Sequence, residues 1–282
     1  MQASQIELTA FGPDHIDGAF ALSQQAGWPH RRQDWAMVLT LSKGVVALEE
    51  GRVVGTAMTT LYRDSCATIN MVIVDAAMRG RGLGRKLMDM ALAAAEGREC
   101  RLVATQDGLP LYEKLGFAVS GEVVQHQGIV VPDLEADRSA STSIAWVDKD
   151  VAIALSALDA QAFGADRFSL FEQLADQGKF AVLRDQGRIS GFIGLRAFGR
   201  GEVAGPLVAS SLDDAKALLS FVFTERAGHF LRVDTLVDTE LAPWLADHGL
   251  LHVGGGLPMR RNAAPFRPST VKTYALASQA LG

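Results

Sequence analysis

The stretch Met71-Val72-Ile73-Val74-Asp75-Ala76-Ala77-Met78-Arg79-Gly80-Arg81-Gly82-Leu83-Gly84 decides how this chain is read. The apolar run predicts a strand and the glycines a turn. Leu83, Leu87, Met90, Ala91 and Ala94 then recur at the spacing of one buried helix face. Glycines let backbone N–H groups converge on an anion with no Cβ in the way. The unpaired N–H groups and the dipole of the first helical turn add attraction. Arg79 and Arg81 add full positive charge. Such a strand, turn and helix suit a bound phosphate.

Two common phosphate loops fail on the residues. A P-loop needs Gly-Lys-Ser/Thr at its end, whereas Gly84 is followed by Arg85-Lys86-Leu87, without the magnesium-binding hydroxyl. A dinucleotide fingerprint needs a third glycine where Arg85 stands, and an acidic residue about 20 positions on, where Ala104 and Thr105 stand.

What remains, Arg-x-x-Gly-x-Gly after a strand, resembles the signature of the GNAT superfamily of acyl-CoA-dependent N-acyltransferases. A second motif joins it downstream, because Leu111-Tyr112-Glu113-Lys114-Leu115-Gly116-Phe117 is similar to that family's Tyr-Glu-x-x-Gly-Phe helix end. The resemblance implies an α/β (α+β) fold, a mixed and mostly antiparallel sheet flanked by helices. Two central parallel strands splay apart in it to admit the pantetheine arm. Here those strands should end at Val74 and Thr105.

Length and composition bound the rest. At 282 residues two domains are expected, and 48% hydrophobic residues suffice for two cores. The net charge of −5 argues against nucleic acid as a partner, since phosphate backbones demand clustered Lys and Arg. No apolar run reaches membrane-spanning length and no secretory signal is present, so a cytoplasmic protein is expected, without a membrane partner. Cys66 and Cys100 read as buried hydrophobes, and the histidines lack metal-ligand spacing, so no metal is expected. Oligomeric state does not follow from the sequence.

A polar linker at 132–143 divides the chain into 1–132 and 143–282. The pattern then repeats: 45–55, VVALEEGRVVG, compares with 181–191, AVLRDQGRISG. Internal duplication explains this, and predicts two tandem GNAT-like domains. The second copy is degenerate where phosphate would bind, for Ser210-Ser211-Leu212-Asp213-Asp214 has no glycine or arginine. A serine there can cap the helix and the aspartates complement its dipole. The tyrosine is missing too, since Trp244-Leu245-Ala246-Asp247-His248 occupies the matching helix. This half looks like the C-terminal domain of tandem proteins related to the YitH acetyltransferase.

The resemblance implies an N-acetyltransferase that moves the acetyl group of acetyl-CoA to a primary amine of a small-molecule or peptide acceptor by direct attack. The first domain would bind coenzyme A and the second would close the acceptor site. By the same resemblance the main chain at Val72, Ile73 and Val74 holds the acetyl carbonyl and pantetheine amides. Arg79, Gly80, Arg81, Gly82, Leu83 and Gly84 hold the pyrophosphate, and Tyr112 protonates the leaving thiolate. Thr105 stands where many relatives carry an asparagine that touches the cofactor. Asn70 stands where relatives often carry an acidic base, so the base stays open among a water chain, Asp34, His30 and the second domain. Trp28, His30 and Asp34, in the segment Gly27–Trp35, are candidates for the acceptor wall together with Asn70. Trp35 reads equally well as core. The rival reading is an acyl-CoA-binding sensor or scaffold that acylates nothing.

Overall fold

The computed structural model describes residues 6–131, 142–265 and 268–282. The linker read at 132–143 lies outside them except for Thr142 and Ser143. Contacts divide the chain into two compact units, neither of which is a continuous half. The first holds the residues up to Leu102, Asp107–Ala118 and Met259–Ala264. The second holds Val103–Gln106, Val119–Pro258 and Pro265–Gly282.

The first unit opens with β1 (Ile6–Ala10), α1 (Ile16–Gln25), α2 (Arg32–Leu41), β2 (Ser42–Glu49), β3 (Arg52–Tyr62) and β4 (Cys66–Val74). It continues with α3 (Leu83–Ala94), β5 (Glu99–Ala104) and α4 (Leu109–Lys114). Its sheet runs β1-β2-β3-β4-β5, antiparallel except for the parallel pair β4 and β5. Glu50 and Gly51, both with positive φ, make the tight turn from β2 to β3.

Helix α3 covers one face, where Thr59 Oγ1 donates to Ala91 O at 2.9 Å and Gly55 leaves room for Leu87. The other face carries Met58 and Phe11, and Phe11 stacks on Trp35 of α2 at 5.9 Å. Trp35 is fully buried, with its Nε1 donating to Ser23 Oγ, and is therefore core. One expectation for α3 is corrected: Met90 is exposed, and Met88 takes its place among Leu83, Leu87 and Ala91. At about 100° per residue the buried face centres on Ala91, and Met90 falls well to its side.

The strand expected at 118–130 within the first half is also corrected. It divides into β6 (Ala118–Val119) and β7 (Val123–Ile129), and β7 belongs to the second unit. That unit contains β8 (Thr142–Val147), α5 (Lys149–Ala154), α6 (Ser156–Phe163), α7 (Phe168–Gln177), β9 (Gly178–Asp185) and β10 (Arg188–Phe198). After these come β11 (Gly201–Ala209), α8 (Leu212–Glu225), β12 (Phe230–Leu236), α9 (Ala242–Asp247), β13 (Leu251–Arg261) and β14 (Lys272–Ala275).

Strand β7 pairs along its whole length with β12, from Ile129 opposite Phe230 to Val123 opposite Leu236, and its other edge takes β13. Alternating apolar residues say which face of a strand is buried, not which strand lies beside it. Gly255 makes the second pairing possible, since a Cβ there would meet Val123 O at 1.9 Å. In exchange, Met259–Ala264 belongs to the first unit. Its anchor is Glu99, whose carboxylate accepts from Arg101 Nε, from Arg260 Nε at 2.7 Å and from the Ala264 amide at 3.0 Å. Burial alone would raise the pKa of Glu99, but these donors outweigh it and hold the carboxyl below its ordinary value.

The second unit repeats the plan of the first. Gln186 and Gly187, both with positive φ, turn β9 into β10 as Glu50 and Gly51 turn β2 into β3. Strands β11 and β12 start as a parallel pair at Glu202/Leu231 and Val203/Arg232. Further along, β14 lies between them, pairing with Leu207, Val208 and Ala209 of β11 and with Thr235 of β12.

Candidate active site

The site starts where β4 leaves β5. Their pairing covers only Cys66–Thr68 against Glu99–Arg101, after which β4 runs on to Val74. Just past the last pair, Met71 takes a left-handed φ of 50° and the register against β3 slips between Thr56 and Met58. This is a bulge, fastened by Thr56 Oγ1 donating to Met71 O at 2.7 Å, and it bends β4 ahead of Val72, Ile73 and Val74. Bulges of this kind re-aim the groups that follow them.

The next residue, Asp75, fixes the entry to the turn. Its buried carboxylate accepts from the Ala77 amide at 2.9 Å and from Arg52 Nη1 at 2.6 Å. The amide first, and then the guanidinium, lower its pKa. Gly80 and Gly82 follow with φ of 76° and 75°, and a Cβ at either would meet nothing within 4 Å. Gly82 is the N-cap of α3, and no side chain caps the helix, so its first amides lack intrahelical acceptors.

Arg79 is exposed, within reach of Asp107 at 3.3 Å, and Arg81 is exposed with no ion pair among the described residues. Leu83 turns into the core, and Gly84 packs near Leu111 and Val74. The turn is glycine-rich, uncapped and flanked by two exposed arginines.

Tyr112 is 8% exposed, edge-on to Phe117, and its hydroxyl has no hydrogen-bond partner among the described residues. Burial pushes its pKa up to about 12, so the phenol keeps its proton throughout the neutral range. Thr105 lies just past the end of β5, exposed, in a segment grouped with the second unit.

The acceptor candidates separate. Trp28 and His30 are half-buried neighbours in the loop between α1 and α2, their rings 5.6 Å apart. Asp34, the other candidate of that segment, is engaged by the start of its own helix. It is 4% exposed, and its Oδ2 accepts from the Arg31 amide at 2.8 Å while Nη2 of Arg31 holds Oδ1 at 2.9 Å. It locks the start of α2, in the manner of an acidic residue at the third helical position. Asn70 lies on the Met58 face of β4 and is buried.

The corresponding turn of the second unit is closed. Ser211 caps α8 by accepting from the Asp214 amide at 3.1 Å, and Ser210 donates to the Asp214 carboxylate. Trp244 stacks on His248 where the first unit has Tyr112. The seating of β14 was missed in sequence reasoning. The available signal was the β-branched and aromatic run Val271-Lys272-Thr273-Tyr274 near the end of the sequence.

Comparison with known proteins now adds to the geometry. Residues 10–117 match the model of the Acetyltransferase (GNAT) family, and residues 155–275 match an Acetyltransferase (GNAT) domain. The chain belongs to the GNAT acetyltransferase family. It carries two GNAT domains in tandem, and among the described residues no group of three or more His, Cys, Asp or Glu could hold a metal ion. No helix among them is long and apolar enough to cross a membrane.

The uncharacterized N-acetyltransferase YitH of Bacillus subtilis is 29% identical over 296 residues, covering 98% of both chains. A candidate acetyltransferase from Pyrococcus horikoshii shares the fold with a TM-score of 0.82 at 20% identity, over 100% of this chain and 98% of that one. A tandem GNAT protein from the clavulanic acid biosynthesis pathway superposes with a TM-score of 0.62 at 15% identity, over 93% and 100% of the two chains. The family match to 155–275 includes β14, so that strand is part of the second GNAT domain.

Proposed function

We propose that the first GNAT domain transfers the acetyl group of acetyl-CoA to a primary amine, and that the second is a degenerate copy that binds no cofactor. The observation that carries this reading is the uncapped turn from Arg79 to Gly84, with its two left-handed glycines open to a ligand after a strand that has parted from its neighbour. Acetyl-CoA, when bound, supplies an activated thioester carbonyl. The residues fit it: amides of the turn and the start of α3, with Arg79 and Arg81, would take the pyrophosphate. Main chain past the Met71 bulge would take the pantetheine and the acetyl oxygen.

The amine must attack as the neutral base. The C–N bond forms, the C–S bond breaks, and the proton that nitrogen loses is matched by the one sulfur gains, so no redox partner or metal is needed. Tyr112 suits the sulfur end because it remains a donor. With the phenol at about 12 and an ordinary thiol near 8.5, complete transfer to a solvated thiolate would be uphill by about 5 kcal/mol. The same desolvation raises the proton affinity of a buried thiolate, which closes part of that gap. Tyr112 therefore acts as a hydrogen-bond donor that strengthens as the bond breaks.

The test is release of free thiol from acetyl-CoA with and without a panel of amines. Amine-dependent release together with acetylated product is expected. Tight binding of acetyl-CoA with no release would support the sensor reading instead.

A further inference from the structure

Asn70 ends a polar row on the Met58 face of the first unit's sheet. Thr60 faces Thr68 and Met58 faces Asn70 across β3 and β4, while Ser42 of β2 faces Thr60. Asn70 Nδ2 donates to Thr60 Oγ1 at 2.9 Å and lies 3.4 Å from both the carbonyl and the hydroxyl oxygen of Thr68. A carbonyl can only accept, so the amide nitrogen belongs on that side and Oδ1 on the other. Ser42 Oγ lies 2.6 Å from Thr60 Oγ1, and with two lone pairs the Thr60 hydroxyl accepts from the amide whichever of the two hydroxyls donates to the other.

Oδ1 is buried and accepts no hydrogen bond among the described residues, in a residue only 5% exposed. A buried acceptor left unmade is destabilising, a cost that an apolar side chain of the same size would avoid. Its place suggests why it is there. On this face Asn70 is the next residue after β4 loses its pairing with β5 at Thr68, directly before the Met71 bulge and two residues before Val72.

Resting on the acetyltransferase reading, we propose that Asn70 Oδ1 accepts an N–H of the incoming amine and so selects primary over secondary amines. An amide oxygen does not take the proton. It orients the neutral nitrogen with its lone pair toward the thioester carbon. A primary amine has one N–H for Asn70 and another to lose on acylation. A secondary amine has a single N–H for both purposes, and binds with Oδ1 unmade once that proton departs.

The experiment compares the parent with Asn70→Leu and Asn70→Asp, using tyramine, lysine and glucosamine, each beside its N-methyl derivative, with thiol release as the readout. Acetyl-CoA affinity is measured by calorimetry and the fold by circular dichroism. In the parent, primary amines should exceed their N-methyl derivatives by about 10-fold or more in kcat/KM. Asn70→Leu should lose about 10- to 100-fold on the primary amines and bring that ratio toward one, with acetyl-CoA affinity unchanged and no fall in melting temperature. Asn70→Asp, which keeps an oxygen in place, should retain most of the preference. If Asn70→Leu does not fold, Asn70→Ala carries the same expectation.

Unchanged primary-amine kinetics, an unchanged ratio, or a parallel loss of acetyl-CoA affinity would overturn the assignment while leaving acetyl transfer standing. A parent that binds acetyl-CoA yet transfers to no amine would overturn both.

Discussion

The turns at Arg79–Gly84 and at Ser210–Asp214 stand at the same point of a duplicated plan and treat the N-terminus of the following helix in opposite ways. The first leaves the amides of α3 uncapped beside two arginines, whereas the second gives those of α8 a serine cap and two aspartates. The neighbouring strands differ to match. Beyond Thr68, β4 has no partner from the parallel strand β5, while the equivalent opening between β11 and β12 holds β14. A helix N-terminus whose amides and dipole the chain has already satisfied offers less to an anion than an uncapped one.

The largest expected effect is at the turn. We predict one coenzyme A per chain, and its loss on Gly82→Asp, because the carboxylate would stand among the anion-seeking amides on a residue held at φ 75°. Calorimetry on both proteins, with circular dichroism as the control for folding, checks it. A stoichiometry of two would erase the contrast between the copies.

Next comes Tyr112→Phe, expected to lower kcat by roughly 10² to 10⁴ with little change in acetyl-CoA affinity. The parent should show no alkaline loss of rate from Tyr112 below about pH 11, since its pKa is pushed to about 12. An alkaline limb near 8 that disappears in the phenylalanine variant would contradict the burial argument.

Smaller effects belong to stability. The depressed pKa of Glu99 makes its ionised form stabilising above the unfolded value near 4.3, and that contribution is lost as the pH falls through the folded value. Glu99→Gln should cost about 2 kcal/mol near neutrality and flatten the acid limb of the stability curve, read by urea unfolding at several pH values. Ser211→Ala should cost only about 1 kcal/mol, the ordinary worth of an N-cap, and should leave coenzyme A binding untouched. A change in cofactor affinity there would tie the second copy to the site of the first.

Much of this contrast was legible in the sequence because it is local. Arg-x-x-Gly-x-Gly fixes a turn, Leu83 and Leu87 fix the phase of the helix behind it, and Ser211 with Asp214 spells a cap. Each relation spans a few residues. The exchange of β7 for Met259–Ala264 was not legible, because strand periodicity carries no address for the neighbouring strand. The engagement of Asp34 was not legible, because an acidic residue at the third position of a helix looks alike as a base or as a cap until Arg31 is seen closing over it. Asn70 was noticed for what it is not, an acid. The orphaned oxygen appears only once Thr60 and Ser42 lie beside it.

The strand β14 also bears on how such a pair of domains can change over time. Two splayed strands present unpaired main chain to each other, a hazard for association with stray segments. In the second unit the edges of β11 and β12 are covered by β14, a strand of the same polypeptide. Once that strand is seated, point changes that rebuilt glycines and arginines at Ser210–Asp214 would meet a filled gap. Removing the strand alone would meet a capped helix. On the proposed reading, in which the second copy binds no cofactor, its loss works as a ratchet with two teeth, in which neither can be lifted by itself.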